Sequence, residues 1–163
     1  MYLRNTVVPL LGLASLAKAT RWPKPWEITH LSTFSPSGRP GSSPYSVINI
    51  TISDPNDSTV SPAICVGTWT FEELPYGKVH ACSEVPGGQW TFAMLQSDSD
   101  NPSPTTEFKL RFEVQKMDQL FRGTEEEFLI GDNLTGLCSA SGVCSFGLME
   151  EKTPYRVSWY RVY

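Results

Sequence analysis

Histidine is nearly missing from this chain: His30 and His80 are the only two in 163 residues, so any scheme that needs an imidazole base must use one of them. Both fall inside stretches of alternating residues, where an ordinary solvent-facing or hydrogen-bonded histidine is the simpler reading. There is no Gly-x-Ser-x-Gly, and no serine sits on the kind of strand-to-helix elbow that activates a nucleophile. Cys-x2-Cys spacing is also absent, which speaks against a structural zinc site. Helical periodicity, heptads, internal repeats and low-complexity tracts are lacking as well. Only 18% of the residues are charged, and lysine and arginine are not gathered into a patch. A nucleic-acid or anionic-membrane partner, which would lean on such a patch, is not expected.

Long apolar runs are scarce too. The single candidate, Val7 to Leu16, is ten residues long, too short for the roughly 20 that a membrane-spanning helix needs. It follows Arg4 and precedes Ala17-Lys18-Ala19, a positive region, an apolar core and a small-x-small cleavage pattern in the order of a secretory signal. Residues 1–19 are therefore expected to be a signal peptide, with cleavage after Ala19 and a single domain over residues 20–163. Cleavage removes two basic residues and no acid, leaving 11 basic against 17 acidic side chains and a net charge of about −6. The localisation expected is secreted and extracellular, with no membrane association after signal cleavage.

The chain does hold four cysteines, Cys65, Cys82, Cys138 and Cys144, all beyond the expected cleavage site. An exported chain meets an oxidising compartment, so two disulfides are the default. Three connectivities are open in principle, and the local one, Cys65 with Cys82 and Cys138 with Cys144, asks least of the chain. Three sequons occur, at Asn49-Ile50-Thr51, Asn56-Asp57-Ser58 and Asn133-Leu134-Thr135. Each is a glycosylation candidate and predicts a solvent-facing asparagine.

The dominant pattern along the chain has period two. Phe108, Leu110, Phe112 and Val114 alternate with Lys109, Arg111 and Glu113, and Ile48, Ile50 and Ile52 alternate with Val47, Asn49, Thr51 and Ser53. Each set places its apolar side chains on one face of a strand. Further strands are expected over 26–34, 64–71, 78–83, 90–96, a broken one over 120–130, then 143–148 and 155–160. Turn-forming residues punctuate them at 35–44, 54–62, 74–77, 86–88, 97–106 and 131–136. About nine short strands at this spacing predict an all-β fold, a single small antiparallel β-barrel or sandwich with two intrachain disulfides. In that scheme the Cys65–Cys82 bridge ties neighbouring strands, and Cys138–Cys144 staples a tight loop at Gly142.

The order of landmarks is recognisable. Trp26-Glu27-Ile28 and Phe34 come first, then Tyr45-Ser46-x-Ile48-x-Ile50-x-Ile52 leading to Asp54, and Cys65 with Trp69 before Cys82. Phe92, Phe108-Lys109-Leu110, Phe128 and the pair Cys138…Gly142-x-Cys144 close the series. This order resembles the secreted fungal family typified by the major Alternaria allergen, over roughly residues 26–146. The resemblance implies a small β-barrel without assigned enzyme activity, and Cys65–Cys82 and Cys138–Cys144 as its two bridges. It also implies secretion by a fungus and contact with a plant or animal host. The family's extra cysteine near the mature N-terminus, which links two chains, has no counterpart between Thr20 and Trp26, so any homodimer is expected to be non-covalent.

Candidate chemistry is thin beside candidate binding. A glycosidase needs two acids across a sugar bond, and Glu72-Glu73, Glu84, Asp98, Asp100 and Glu125-Glu126-Glu127 are the residues to test. Asp98 and Asp100 also lie in a Ser/Asp/Pro-rich loop of the sort that holds calcium. A copper site at an N-terminal histidine is excluded if Thr20 is the first mature residue. Tryptophan, by contrast, is plentiful: Trp69 and Trp90 are expected to fill the core, Trp22 to be exposed beside Pro23, and Trp159 and Tyr160 to offer stacking faces in an aromatic C-terminal segment. The long loop from Ser35 to Pro44 holds Arg39 at a stiff, proline-bounded tip without an acid nearby in sequence. The function these features and the resemblance imply is non-catalytic host interaction, with a host protein or a small aromatic ligand as partner and no cofactor. A secreted carbohydrate-active or other hydrolytic enzyme is the alternative.

Overall fold

The computed structural model describes residues 23–57 and 61–163. The expected signal peptide, its cleavage site, Trp22 and Ser58 of the second sequon lie outside the described residues. Twelve strands form among the described residues: β1 Trp26–Ser35, β2 Tyr45–Ser53, β3 Ala63–Thr70, β4 Val79–Ala81, β5 Gln89–Gln96, β6 Glu107–Lys116, β7 Gln119–Gly123, β8 Glu126–Leu129, β9 Leu134–Cys138, β10 Cys144–Leu148, β11 Tyr155–Val157 and β12 Trp159–Val162. A short 3-10 turn at Glu150–Lys152 is the one helical element among the described residues.

The strands make two antiparallel sheets. The first runs β3-β2-β1-β10-β9, with β11 pairing β1 beyond the end of β10; the second runs β12-β7-β6-β5-β4, with β8 on β6 beyond the end of β7. No ladder joins β3 to β4 or β9 to β12, so the fold is a sandwich and not a closed barrel. Between the sheets lie the two stripes read from the sequence. Ile48, Ile50 and Ile52 of β2 face Phe108, Leu110, Phe112 and Val114 of β6, and all seven are 1% exposed or less. Burying such side chains contributes roughly 1.5–3 kcal/mol each relative to leaving them in water, which is why period two decides the fold.

Trp26 bridges the layers. Its ring meets Trp90 of β5 edge-on at 4.7 Å and stacks with Trp159 of β12 at 6.0 Å. It also rests on Gly123 of β7, where an added Cβ would lie 3.1 Å from the indole. The period-two pattern slips once in β1, at a bulge between Ile28 and His30. That extra residue turns Leu31 and Thr33 inward and leaves Phe34 38% exposed on the outer face.

Both disulfides are formed, Cys65–Cys82 and Cys138–Cys144, and no free cysteine remains. Cys138 and Cys144 are register partners in the β9–β10 hairpin, closing a turn in which Gly142 has φ +88°. The first bridge ties the expected neighbours, but these lie in different sheets. Cys65 belongs to β3 of the first sheet and Cys82 follows β4 of the second, so the bond spans the seam between sheets. Ser83 reinforces it there: its N–H donates to the Ile64 carbonyl at 2.7 Å and its Oγ accepts from the Ile64 N–H at 2.9 Å.

Two strand expectations need correction. Residues 131–136 were expected to be a turn, but β9 begins at Leu134. Gly136 is there because the backbone approaches closely: a Cβ would lie 2.1 Å from the Ser145 carbonyl oxygen. The strand expected over 155–160 is two strands in opposite sheets. The chain crosses between them at Ser158, whose carbonyl accepts from the Thr124 N–H and Oγ1. Beside this crossing, Tyr155 packs on Phe128 and donates to Glu126 Oε2 at 3.1 Å. Burial first, and then the Glu126 charge, push its hydroxyl up to about 12, so it remains a neutral donor. The broken strand over 120–130 resolves into β7 and β8, which lie end to end along β6.

Candidate binding cleft

Where β1 ends, β2 begins and β3 ends, the connecting segments gather at one end of the sandwich. They enclose an open cleft of about 970 Å³. One wall is the β1–β2 loop, Ser35 to Pro44; the other is the turn from Thr70 to Leu74, with Pro104 and Thr105 closing a side. Trp69, 5% exposed, and its register partner Ser46 form the floor.

The loop is stiff for local reasons. Arg39-Pro40-Gly41-Ser42 is a tight turn closed by Ser42 N–H to the Arg39 carbonyl at 3.0 Å, with the Ser42 hydroxyl donating to the same oxygen at 2.7 Å. Proline fits its second position, and Gly41 supplies the φ of +85° that its third position needs. Arg39 N–H also reaches Ser37 Oγ at 3.4 Å. The Arg39 backbone is thus fixed while its side chain is exposed, and no ion pair engages it among the described residues. The side wall is tied to β1 by the Thr33 hydroxyl, which donates to the Thr105 carbonyl at 2.7 Å.

On the opposite wall Phe71 is 97% exposed and Leu74 57%. Sequence reasoning placed Phe71 at the end of a strand, where alternation would turn it inward beside Trp69. Instead β3 stops at Thr70, and the bond from Glu73 N–H to the Thr70 carbonyl folds the chain away with Phe71 outermost. The signal available was Glu72-Glu73-Leu74-Pro75 directly after it, two acids and a proline that end a strand. Glu73 pairs with Lys78 at 2.6 Å, and that hydrogen bond and charge hold its carboxyl below the usual range.

The other expected residues are scattered. Trp159 turns inward against Trp26 and Phe121, and its Nε1 donates to the Lys24 carbonyl at 3.0 Å, so its ring is committed to the sandwich; Tyr160 is half exposed opposite Arg122. His30 contacts Ser32 Oγ, and His80 stacks on Phe92. Asp98 pairs with Lys109, Glu125 with Arg111, and Glu127 accepts from Ser97. Among the described residues no three His, Cys, Asp or Glu side chains gather to hold a metal. Nor is any helix there long and apolar enough to cross a membrane.

The three sequon asparagines differ. Asn49 is exposed on β2. Asn56 is exposed, but its amide clamps the N-terminal segment, donating to the Lys24 carbonyl at 2.8 Å and to Asp54 Oδ1 at 2.7 Å while accepting from the Lys24 N–H. Asn133 departs from the solvent-facing expectation: it is 3% exposed, its Nδ2 donates to the Glu127 carbonyl and its Oδ1 accepts from the Leu129 N–H, each at 2.9 Å. It serves as the internal brace of the β8–β9 connection.

Asp54 anchors a second, smaller hollow of about 40 Å³ beside Trp26, Phe121 and Trp159. Its side chain is 7% exposed and pairs with Lys116 at 2.7 Å. Burial alone would raise this carboxyl, but hydrogen bonds from Lys116 and Asn56 and the lysine charge outweigh it and hold it below its ordinary 3.8. The folded state therefore binds this proton less tightly than the unfolded chain. The resulting stabilisation is present above the ordinary carboxylate range and is lost as pH falls through the lowered folded value. Urea titrations from pH 6 to pH 2 should show Asp54→Asn losing about 1–3 kcal/mol at pH 6 and converging on wild type in acid. Parallel curves for the two proteins would rule out this role.

No family model, curated protein or solved structure matches the chain.

Proposed function

We propose that this chain is a secreted, non-catalytic binding protein, akin to the fungal Alternaria-allergen family its landmarks resemble, and that it engages its host partner through the cleft at the sandwich end. The observation that carries this reading is the pairing of an exposed Phe71 with an unpaired Arg39 on facing walls above Trp69. The cleft volume lies near the top of the roughly 300–1,000 Å³ that ligand pockets occupy. A flat aromatic group has Phe71 to stack on, and a carboxylate or other acceptor has Arg39; a protein loop or a small aromatic ligand can present both. Rigid strands fixing free loops are the usual setting for such a site. The engagement of Asp98, Glu125 and Glu127 with neighbouring side chains favours this reading over a hydrolytic one.

The test is binding. A partner captured from host extract by the secreted protein, and then purified, should bind Phe71→Ala and Arg39→Glu about tenfold or more weakly than wild type. Melting temperatures should stay nearly unchanged, because neither side chain is buried. Equal affinity across all three proteins would remove the cleft from consideration.

A further inference from the structure

The outer faces of the two sheets are chemically unlike. The second sheet carries Lys109, Arg111 and Glu113 of β6 and Arg122 of β7, joined through Arg122–Glu113 and Arg111–Glu125. In the first sheet, β2, β3, β9 and β10 contain no Asp, Glu, Lys or Arg, and the charges on its strands are Glu27 of β1 and Arg156 of β11, register partners at one end. Phe34, Ile64 and Val66, all 38–51% exposed, lie on that sparsely charged face. Near its middle is Asn49, in register between Ser32 of β1 and Val66 of β3. A face so poor in charge, with exposed apolar side chains, invites association unless something covers it.

We infer that Asn49 is the N-glycosylated residue of the three sequons, and that its glycan covers this face. The inference rests on the secretory reading above. The transfer joins Nδ2 to the anomeric carbon of an oligosaccharide carried on a polyprenyl pyrophosphate. It breaks that carbon's bond to the pyrophosphate oxygen and releases one amide proton, so the modified amide keeps a single N–H. Asn49 can accept this change, since its side chain is exposed and makes no hydrogen bond to another described residue. Asn56 cannot without loss, because both of its N–H bonds are in use. Asn133 has no room for a sugar in the folded chain. A glycan on Asn49 projects from the centre of the face over its neighbours Val66, Ile64 and Phe34, and hydrates them. The end-on cleft stays open, since its walls are loops beyond the ends of β1, β2 and β3.

The full chain is to be expressed in a eukaryotic secretory host and treated with peptide N-glycosidase, which leaves Asp where a glycosylated Asn stood. Peptide mapping should find that conversion at position 49 and not at 56 or 133. Hydroxyl-radical footprinting should label Phe34, Ile64 and Val66 severalfold less in the glycosylated protein than in Asn49→Gln or Thr51→Ala. A secreted, disulfide-bonded chain bare at Asn49, or equal labelling with and without the glycan, overturns the inference alone. Protection of the face that grows with concentration in the glycosylated protein, the mark of a second copy seated there, also overturns it. A chain retained in the cell overturns the secretory reading beneath it.

Discussion

Trp26→Ala should lower the free energy of unfolding by about 4 kcal/mol, the scale for removing a buried Trp, and the melting temperature by roughly 8–16 °C. The size follows from what surrounds the ring. Trp26 is 1% exposed, and its indole extends from the first sheet to touch Trp90 and Trp159 of the second. Gly123, on which the ring rests, has no side chain to move into the void. Trp159 would also lose its stacking partner, leaving the small hollow by Asp54 open to water. Chemical denaturation followed by circular dichroism measures the effect, with Trp26→Phe keeping part of it. A loss under 1 kcal/mol would mean that the layers do not depend on this ring.

Replacing Cys65 and Cys82 together by Ala should cost about 3 kcal/mol, against about 2 for Cys138 and Cys144. Loop length accounts for these figures, with sequence separations of 17 and 6. Location favours the same order. Cys65 is fully buried and its bond crosses from one sheet to the other, where the Ser83–Ile64 bonds are the other ties and no ladder forms. The hairpin bridge lies across strands that β9 and β10 already pair. Melting curves of the two double variants decide the order. A Cys138–Cys144 variant at least as damaged as the other would contradict the seam as the place where the covalent link matters.

The stripes in β2 and β6 were legible because period two is a local property: each residue's face follows from its neighbour's. What escaped depends on distant partners. Gly136 reads as a breaker until Phe146 and Ser145 are known to lie against it, and the crossing at Ser158 has no local mark beyond aromatic residues on both faces. The bulge after Ile28 left one local trace, two polar residues in a row at Thr29 and His30, which a strand with a polar residue turned inward would show as well. A barrel and a sandwich share one strand pattern and differ only in whether the edges pair. For the cleft, Arg39 and its loop stood out by length and proline content. Phe71 did not, since its place opposite that loop is set by the β1-β2-β3 register. Asn133 shows the same limit, because a sequon does not reveal that its amide braces two strands.

Of the described strands β11 and β12 are made last, yet β11 pairs with β1, made first, and β12 supplies the Trp159 that packs on Trp26. The nascent chain can zip β1 to β2 and β2 to β3 as they emerge, and β5 to β6 soon after. Neither sheet is complete until β11 and β12 have emerged. Native assembly thus waits on contacts between the first and last strands of the domain, and such long-range closure makes folding slow compared with a helical domain of equal size. Until then the open side of β1 is an unpaired strand edge, so the interval between synthesis and closure is when this protein is most exposed to misassembly.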